Sequence, residues 1–370
     1  MWKRILREID YPSFISMLLL ILVGLLLIYS AALGISSSNT TSILLLLRQG
    51  TWAVISLFVF FLMVQIDYRQ LPRFSSLLYF LMFLMLLSVL LLGKKTSGAQ
   101  RWFALGPITI QPSEFAKFIA LITLSSFWAK NYQEASNLKV LFRSFLHISI
   151  PLLLVFLQPD LGTSLTFLII WLSSLIFVGA KAKHIIAIGF TLILLAVAAW
   201  HLDILRPYQK QRIQAFLNPK ADPLGAGYHI IQSRIAIGSG EALGKGLFKG
   251  TQNRLNYIPA QHTDFIFTVA GEELGFAGCI AILALFFIIV WRCFFTALNT
   301  EDMLGQLIAA QVGVLLIFHS FVNIGMTLGL LPAVGIPLPF LSYGGSHLLT
   351  FCLLLGLTQS VYRRRKKLSF

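Results

Sequence analysis

The residues best suited to chemistry lie in one polar interval, 202–264, of an otherwise apolar sequence. It carries Arg206, Lys210, Arg212, Lys220, Arg234, Lys245, Lys249 and Arg254, with Asp203, Asp222 and Glu241 among them. It closes on His262-Thr263-Asp264, where an apolar run resumes. Clustered cations with glycine punctuation suit a phosphate-bearing, membrane-bound substrate, and a carboxylate beside them suits proton abstraction. Asp264 is therefore the candidate base, with His262 and Thr263 as hydrogen-bond partners. The competing reading makes it the N-cap of a helix that begins at Phe265. Arg206, Lys210, Arg212 and Arg234 are the candidate phosphate ligands, against a solvated or lipid-headgroup role for each.

Three other places set charge at or inside apolar runs, where unpaired charge is expensive. In Gln111-Pro112-Ser113-Glu114-Phe115-Ala116-Lys117, Glu114 and Lys117 share a helix face. They form either a self-neutralising structural pair or the wall of a polar cavity. In Gln158-Pro159-Asp160-Leu161-Gly162-Thr163, Asp160 either caps the next helix or joins the site. The adjacent acids of Gly271-Glu272-Glu273-Leu274-Gly275 are a weak signal for a divalent cation. A Pro- and Gly-rich stretch, Pro332 to Ser346, cannot continue a helix and reads as a re-entrant loop against a protein-lined cavity.

These groups must be held by a membrane bundle. Of 370 residues, 57% are hydrophobic and only 12% charged, and mean hydropathy is +0.81. Soluble domains carry about twice that charge. The net charge of +15 points to nucleic acid in a soluble chain, but here the flanks of membrane helices account for much of it. No nucleic-acid partner is expected. Apolar runs near 13–33, 51–66, 75–93, 114–129, 144–158, 161–179, 184–201, 267–291, 306–330 and 346–362 predict about ten transmembrane helices. Unsatisfied backbone is forbidden in lipid, so the expected fold class is all-α: a polytopic helical bundle forming one domain over 1–370, with 202–264 as a large extracytoplasmic loop. Basic residues in the short loops, including Arg69, Arg73, Lys181 and Lys183, and the Arg363 to Lys367 run set both termini in the cytoplasm. The N-terminal apolar run lacks a small-residue cleavage site and reads as a retained first span. Cys279, Cys293 and Cys352 have no metal-like spacing and read as apolar fillers. Tyr228, Ile231 and Ile235 recur at helical spacing within 225–237, which predicts a short amphipathic helix on the outer leaflet.

Taken in order, the motifs resemble those of a known family. They are Gly98-Ala99-Gln100-Arg101-Trp102, the Gln111 to Lys117 and Gln158 to Thr163 runs, Asp222-Pro223-Leu224-Gly225-Ala226-Gly227-Tyr228, Gly244-Lys245-Gly246, Gly250-Thr251-Gln252, His262-Thr263-Asp264-Phe265-Ile266-Phe267, Pro337-Leu338-Pro339 and Ser342 to Ser346. Over nearly its whole length the chain resembles the SEDS (shape, elongation, division, sporulation) polymerases, and their rod-shape branch more than their division branch. Two positions depart from the family pattern: Ala260 stands where an acid is usual, and Glu241 where a glycine is usual. The resemblance implies a peptidoglycan glycosyltransferase of the bacterial inner membrane that polymerises lipid II into a nascent glycan strand. Under it Asp264 matches the essential acid, and Trp102, Glu114, Lys117 and Asp160 match positions at the polar cavity. It further implies a divalent cation (Mg or Mn, ligands unknown), a class B penicillin-binding protein as transpeptidase partner, and the elongation machinery. A lipid II flippase is the competing function, and the division paralogue the competing branch.

Overall fold

The computed structural model describes residues 8–35, 39–96, 99–105, 108–219, 227–255, 257–258 and 260–365. Gly98, Lys220, Asp222 to Ala226, Pro259, Lys366 and Lys367, all drawn on above, lie outside them. Ten long helices follow the ten apolar runs. They are α1 (Tyr11–Ile35), α2 (Asn39–Gln65), α3 (Ser75–Leu92), α4 (Pro112–Asn131), α5 (Leu138–Leu157), α6 (Leu161–Phe177), α7 (Ala182–His201), α11 (Ile266–Leu298), α12 (Met303–Thr327) and α13 (Gly345–Arg364). Three more, α8 (Pro207–Leu217), α9 (Tyr228–Ser239) and α10 (Thr251–Arg254), fall within the polar interval.

Among the described residues, seven helices are long and apolar enough to cross a membrane by length and composition. The other three have physical reasons to differ. Helix α6 has only 17 residues, while α4 and α13 carry polar groups and are mostly buried in the bundle. Helices packed against protein on most sides need less apolar surface than those facing lipid. Helix α7 is the opposite case: apolar throughout, with none of its residues buried.

Most of the core is one large cluster, including Met17, Leu20 and Ile28 of α1, Phe60 of α2, Trp128 of α4, Phe167 of α6, Leu307 and Leu315 of α12, and Phe351 and Leu355 of α13. It extends to Leu338, Phe340 and Leu341 of the Pro-rich stretch, which is an irregular, largely buried loop as expected. The strongest helix pairing joins α2 and α13.

One element differs from expectation. Between α3 and α4 the chain forms a small antiparallel meander, β1 (Lys94–Thr96), β2 (Ala99–Leu105) and β3 (Ile108–Ile110), in order β1-β2-β3. The all-α bundle thus carries one short sheet, whose backbone is paired within itself. Helix α9 forms where the amphipathic pattern lies; it packs on the bundle through Ile230, Ser233 and Ala236 and leaves Ile235 of the apolar stripe exposed. Small and hydroxyl residues let it approach α11 closely, a packing mode common between helices in lipid. Ser233 Oγ lies 2.7 Å from both the Thr327 carbonyl and Thr268 Oγ1, which ties α9 to α12 and α11.

Candidate active site

Asp264 lies one residue before the N-cap of α11. The N-cap is Phe265, and no side chain caps that helix, so the capping reading of Asp264 fails. Its backbone is fixed from three directions. Asn323 Nδ2 of α12 donates to the Asp264 carbonyl at 2.9 Å and to the Ile336 carbonyl at 2.8 Å. Ser342 Oγ donates to the Thr263 carbonyl at 2.7 Å, and the Tyr343 amide to the His262 carbonyl at 2.8 Å. The irregular loop from Leu328 to Gly344 therefore serves as a cradle for the His262 to Asp264 turn. A Cβ at Gly335, whose φ is +72°, would meet Asp264 Oδ2 at 3.5 Å and Arg212 Nη1 at 3.9 Å. The base and the guanidinium thus share the space over that glycine.

Arg212, on α8, donates to the Ala333 carbonyl at 3.1 Å and stacks over Tyr208. Asp160 is the N-cap of α6, and its second oxygen faces the same polar cluster. Its Oδ1 accepts from the Thr163 amide at 3.2 Å, capping α6, while Oδ2 accepts from Gln111 Nε2 at 3.2 Å and faces Arg101 Nη1 at 3.7 Å. Arg101 in turn holds the turn before α6 through the carbonyls of Gln158 (3.1 Å) and Pro159. Burial raises the Asp264 carboxyl above its ordinary value; Arg212 opposes that, Asp160 adds to it, Arg101 opposes it, and the balance is about 6. Partly buried and tuned to that value, Asp264 is ionised at neutral pH yet remains a usable proton acceptor.

The other expected residues fall into two groups. Trp102 sits on β2 beside Arg101, partly buried and in register with Lys94. Thr263 Oγ1 donates to the Ala260 carbonyl, and the His262 ring packs edge-on against Tyr343. Both hold the turn, and neither bonds the Asp264 carboxylate among the described residues. Burial lowers the His262 imidazole below its usual value, which keeps it neutral. Lys210 pairs with Asp203 and lies over Trp200, and Arg206 opens α8 as its N-cap. Arg234 caps the C-terminal end of α12 through the Leu328 (3.0 Å) and Gly329 (2.7 Å) carbonyls. Glu114 and Lys117 contact each other at 2.8 Å, fully buried, and His347 Nδ1 lies 3.1 Å from the same carboxylate. Of the four loop cations, Arg212 alone bears on Asp264.

Arg101, Gln111, Asn323, Gly335 and His347 were not singled out as site residues. Arg101 and Gln111 sit inside quoted motifs, and a polar Asn323 or His347 inside an apolar span is a signal by itself. As for a cation, no group of three or more His, Cys, Asp or Glu could hold a metal among the described residues. The oxygens of Glu272 and Glu273 are occupied by protein donors.

Comparison with known proteins agrees with this geometry. The model of the FtsW/RodA/SpoVE family of cell cycle proteins matches residues 12–367. The peptidoglycan glycosyltransferase MrdB of Escherichia coli is 39% identical over 354 residues, covering 95% of this chain and 94% of that protein. A solved structure described as structural coordination of polymerization and crosslinking by a peptidoglycan synthase complex superposes with a TM-score of 0.79 at 29% identity, over 96% of this chain and 98% of that one. The crystal structure of Thermus thermophilus rod shape determining protein RodA gives 0.70 at 27% identity, over 97% and 98%. A family match from the first long helix to the last makes this chain a member of the FtsW/RodA/SpoVE family.

Proposed function

We propose that Asp264 is the general base of a reaction that joins lipid-linked sugars into glycan strands. The chain is a multi-pass membrane protein and a peptidoglycan glycosyltransferase, related to MrdB and to rod-shape RodA. The observation that carries the role of Asp264 is its setting: a largely buried carboxyl, tuned to about 6, facing Arg212 over Gly335 with Asp160 and Arg101 beside it.

In this reading the acceptor sugar hydroxyl attacks the anomeric carbon of lipid II. Its proton passes to an Asp264 oxygen as the new C–O bond forms. The old bond between the anomeric carbon and the diphosphate oxygen breaks, and its electron pair leaves with the diphosphate. Arg212 and Arg101 would stabilise that departing charge. In this reading a divalent cation would supply charge neutralisation at the departing diphosphate. The positive-inside distribution supports cytoplasmic termini and an extracytoplasmic site. The solved relative described as a complex for polymerization and crosslinking supports a transpeptidase partner of class B type. Rod-shape relatives favour a role in elongation over division.

A flippase with the same polar interior makes no use of a tuned carboxyl beside two guanidinium groups. The purified protein in liposomes, given lipid II on one face with magnesium and its transpeptidase, should build glycan strands. Transfer of lipid II across the bilayer with no strand product would overturn the reading.

A further inference from the structure

Asp264 stands at the end of a half-helix. Helix α11 is broken at Gly275, whose φ of 64° and ψ of −164° are not helical, so residues 266–274 form a separate upper piece. A break inside a membrane bundle frees backbone groups that must find partners in protein. Here the loop after α9 supplies them. The Lys245 and Gly246 amides donate to the Glu272 and Glu273 carbonyls at 3.0 Å each, while the Phe276 and Ala277 amides donate to the Glu241 and Ala242 carbonyls at 2.9 and 3.0 Å. The loop thus completes the ladder across the break. That approach requires glycine: a Cβ at Gly244 would lie 2.2 Å from the Glu273 carbonyl oxygen, and one at Gly275 would lie 2.2 Å from the Gly244 nitrogen.

The side chains of the same two residues lock the rest of the loop. Glu272, buried, accepts from Lys245 Nζ (2.7 Å), Thr251 Oγ1 (3.1 Å), the Gln252 amide (2.9 Å) and the Asn253 amide (3.1 Å). Glu273, also buried, accepts from the Phe248 amide (3.0 Å), Asn253 Nδ2 (3.3 Å) and Ser30 Oγ of α1. A carboxylate has about four acceptor positions. Glu272 is saturated, which explains why the adjacent acids do not serve as a cation site.

We propose that Glu272 and Glu273 are positioning residues that, through the loop 240–254, set the angle of the upper half of α11 and so the place of Asp264 against its substrate. The inference rests on Asp264 being the base. The upper piece spans nine residues, a lever of ~13 Å. A tilt of about 10° on that lever would move Asp264 by about 2 Å, and a misplacement of ~1 Å in an active site can cost ~100-fold in rate.

The test is polymerisation of lipid II by the full-length enzyme, read as kcat, KM and pH profile for Glu272→Gln and Glu273→Gln. Each should lower kcat roughly tenfold or more, leave KM within about threefold, and move the acid limb away from about 6 because the spacing of Asp264 from Arg212 and Asp160 changes. If a Gln variant does not fold, Lys245→Met and Thr251→Val each remove one donor and leave the backbone donors; each should lower kcat in the same way with the same kind of shift. Folded clamp variants with wild-type kcat and an unmoved limb would overturn the inference. An inactive Asp264→Asn measured beside them would leave the base assignment standing in that event. A fully active Asp264→Asn would overturn the base assignment itself.

Discussion

Replacing Asp264 by Asn should reduce strand formation by about 10²–10⁴-fold while leaving the protein folded, since that is the usual worth of a general base. The substitution keeps the side-chain shape and removes only proton affinity. Among the described residues no hydrogen bond reaches the Asp264 carboxylate, so the amide leaves no donor stranded. The sign of the stability effect also follows. The folded carboxyl is raised above its unfolded value, so its favourable contribution is complete below about pH 4 and is lost as pH rises to about 6. At pH 7 the native state therefore bears the cost of the ionised group, and Asn removes that cost. Thermal unfolding of Asp264→Asn at pH 7 should occur at or above the wild-type temperature while activity is lost. A lower unfolding temperature with proportionate residual activity would mean the residue is structural.

Lys117→Met should have the largest effect on stability. Lys117 and Glu114 are both buried on α4, with His347 of α13 as third member. Removing one partner of a buried ion pair leaves the other charge in a poor solvent and costs about 3–5 kcal/mol. The double change Glu114→Gln with Lys117→Met removes both charges and should restore much of that loss. The measurement is thermal unfolding of the three proteins in one detergent. Equal unfolding temperatures for Lys117→Met and wild type would show that the pair is solvated rather than buried.

Much of this architecture was legible in sequence because lipid imposes a simple rule. Every apolar run of adequate length became a helix, including α4 and α13, which carry buried ionisable residues. The meander from Lys94 to Ile110 was not legible, since its three strands are short and their pattern lies between two strong helical signals. For the site, residue type and spacing singled out Asp264 and Asp160 but could not rank the loop cations. Arg212 and Arg234 look alike in sequence. One lies over Gly335 beside the carboxylate, and the other is occupied in capping α12. That difference is tertiary. Glu272 and Glu273 gave the opposite difficulty: adjacent acids look like ligands, and only the break at Gly275 reveals that their oxygens are filled by the chain itself.

The measurement that bears most directly on the central claim is the pH dependence of polymerisation for wild type, Arg212→Gln and Asp160→Asn. Wild type should lose activity below an apparent pKa of about 6, falling about tenfold per pH unit. Arg212 stabilises the ionised base, so its loss should move that limb upward. Asp160 destabilises it, so Asn, which can still cap α6, should move the limb downward. Opposite displacements by the two variants are the predicted result. A wild-type profile flat from pH 5 to 7, or two variants whose limbs stay where the wild-type limb lies, would contradict a proton-accepting Asp264.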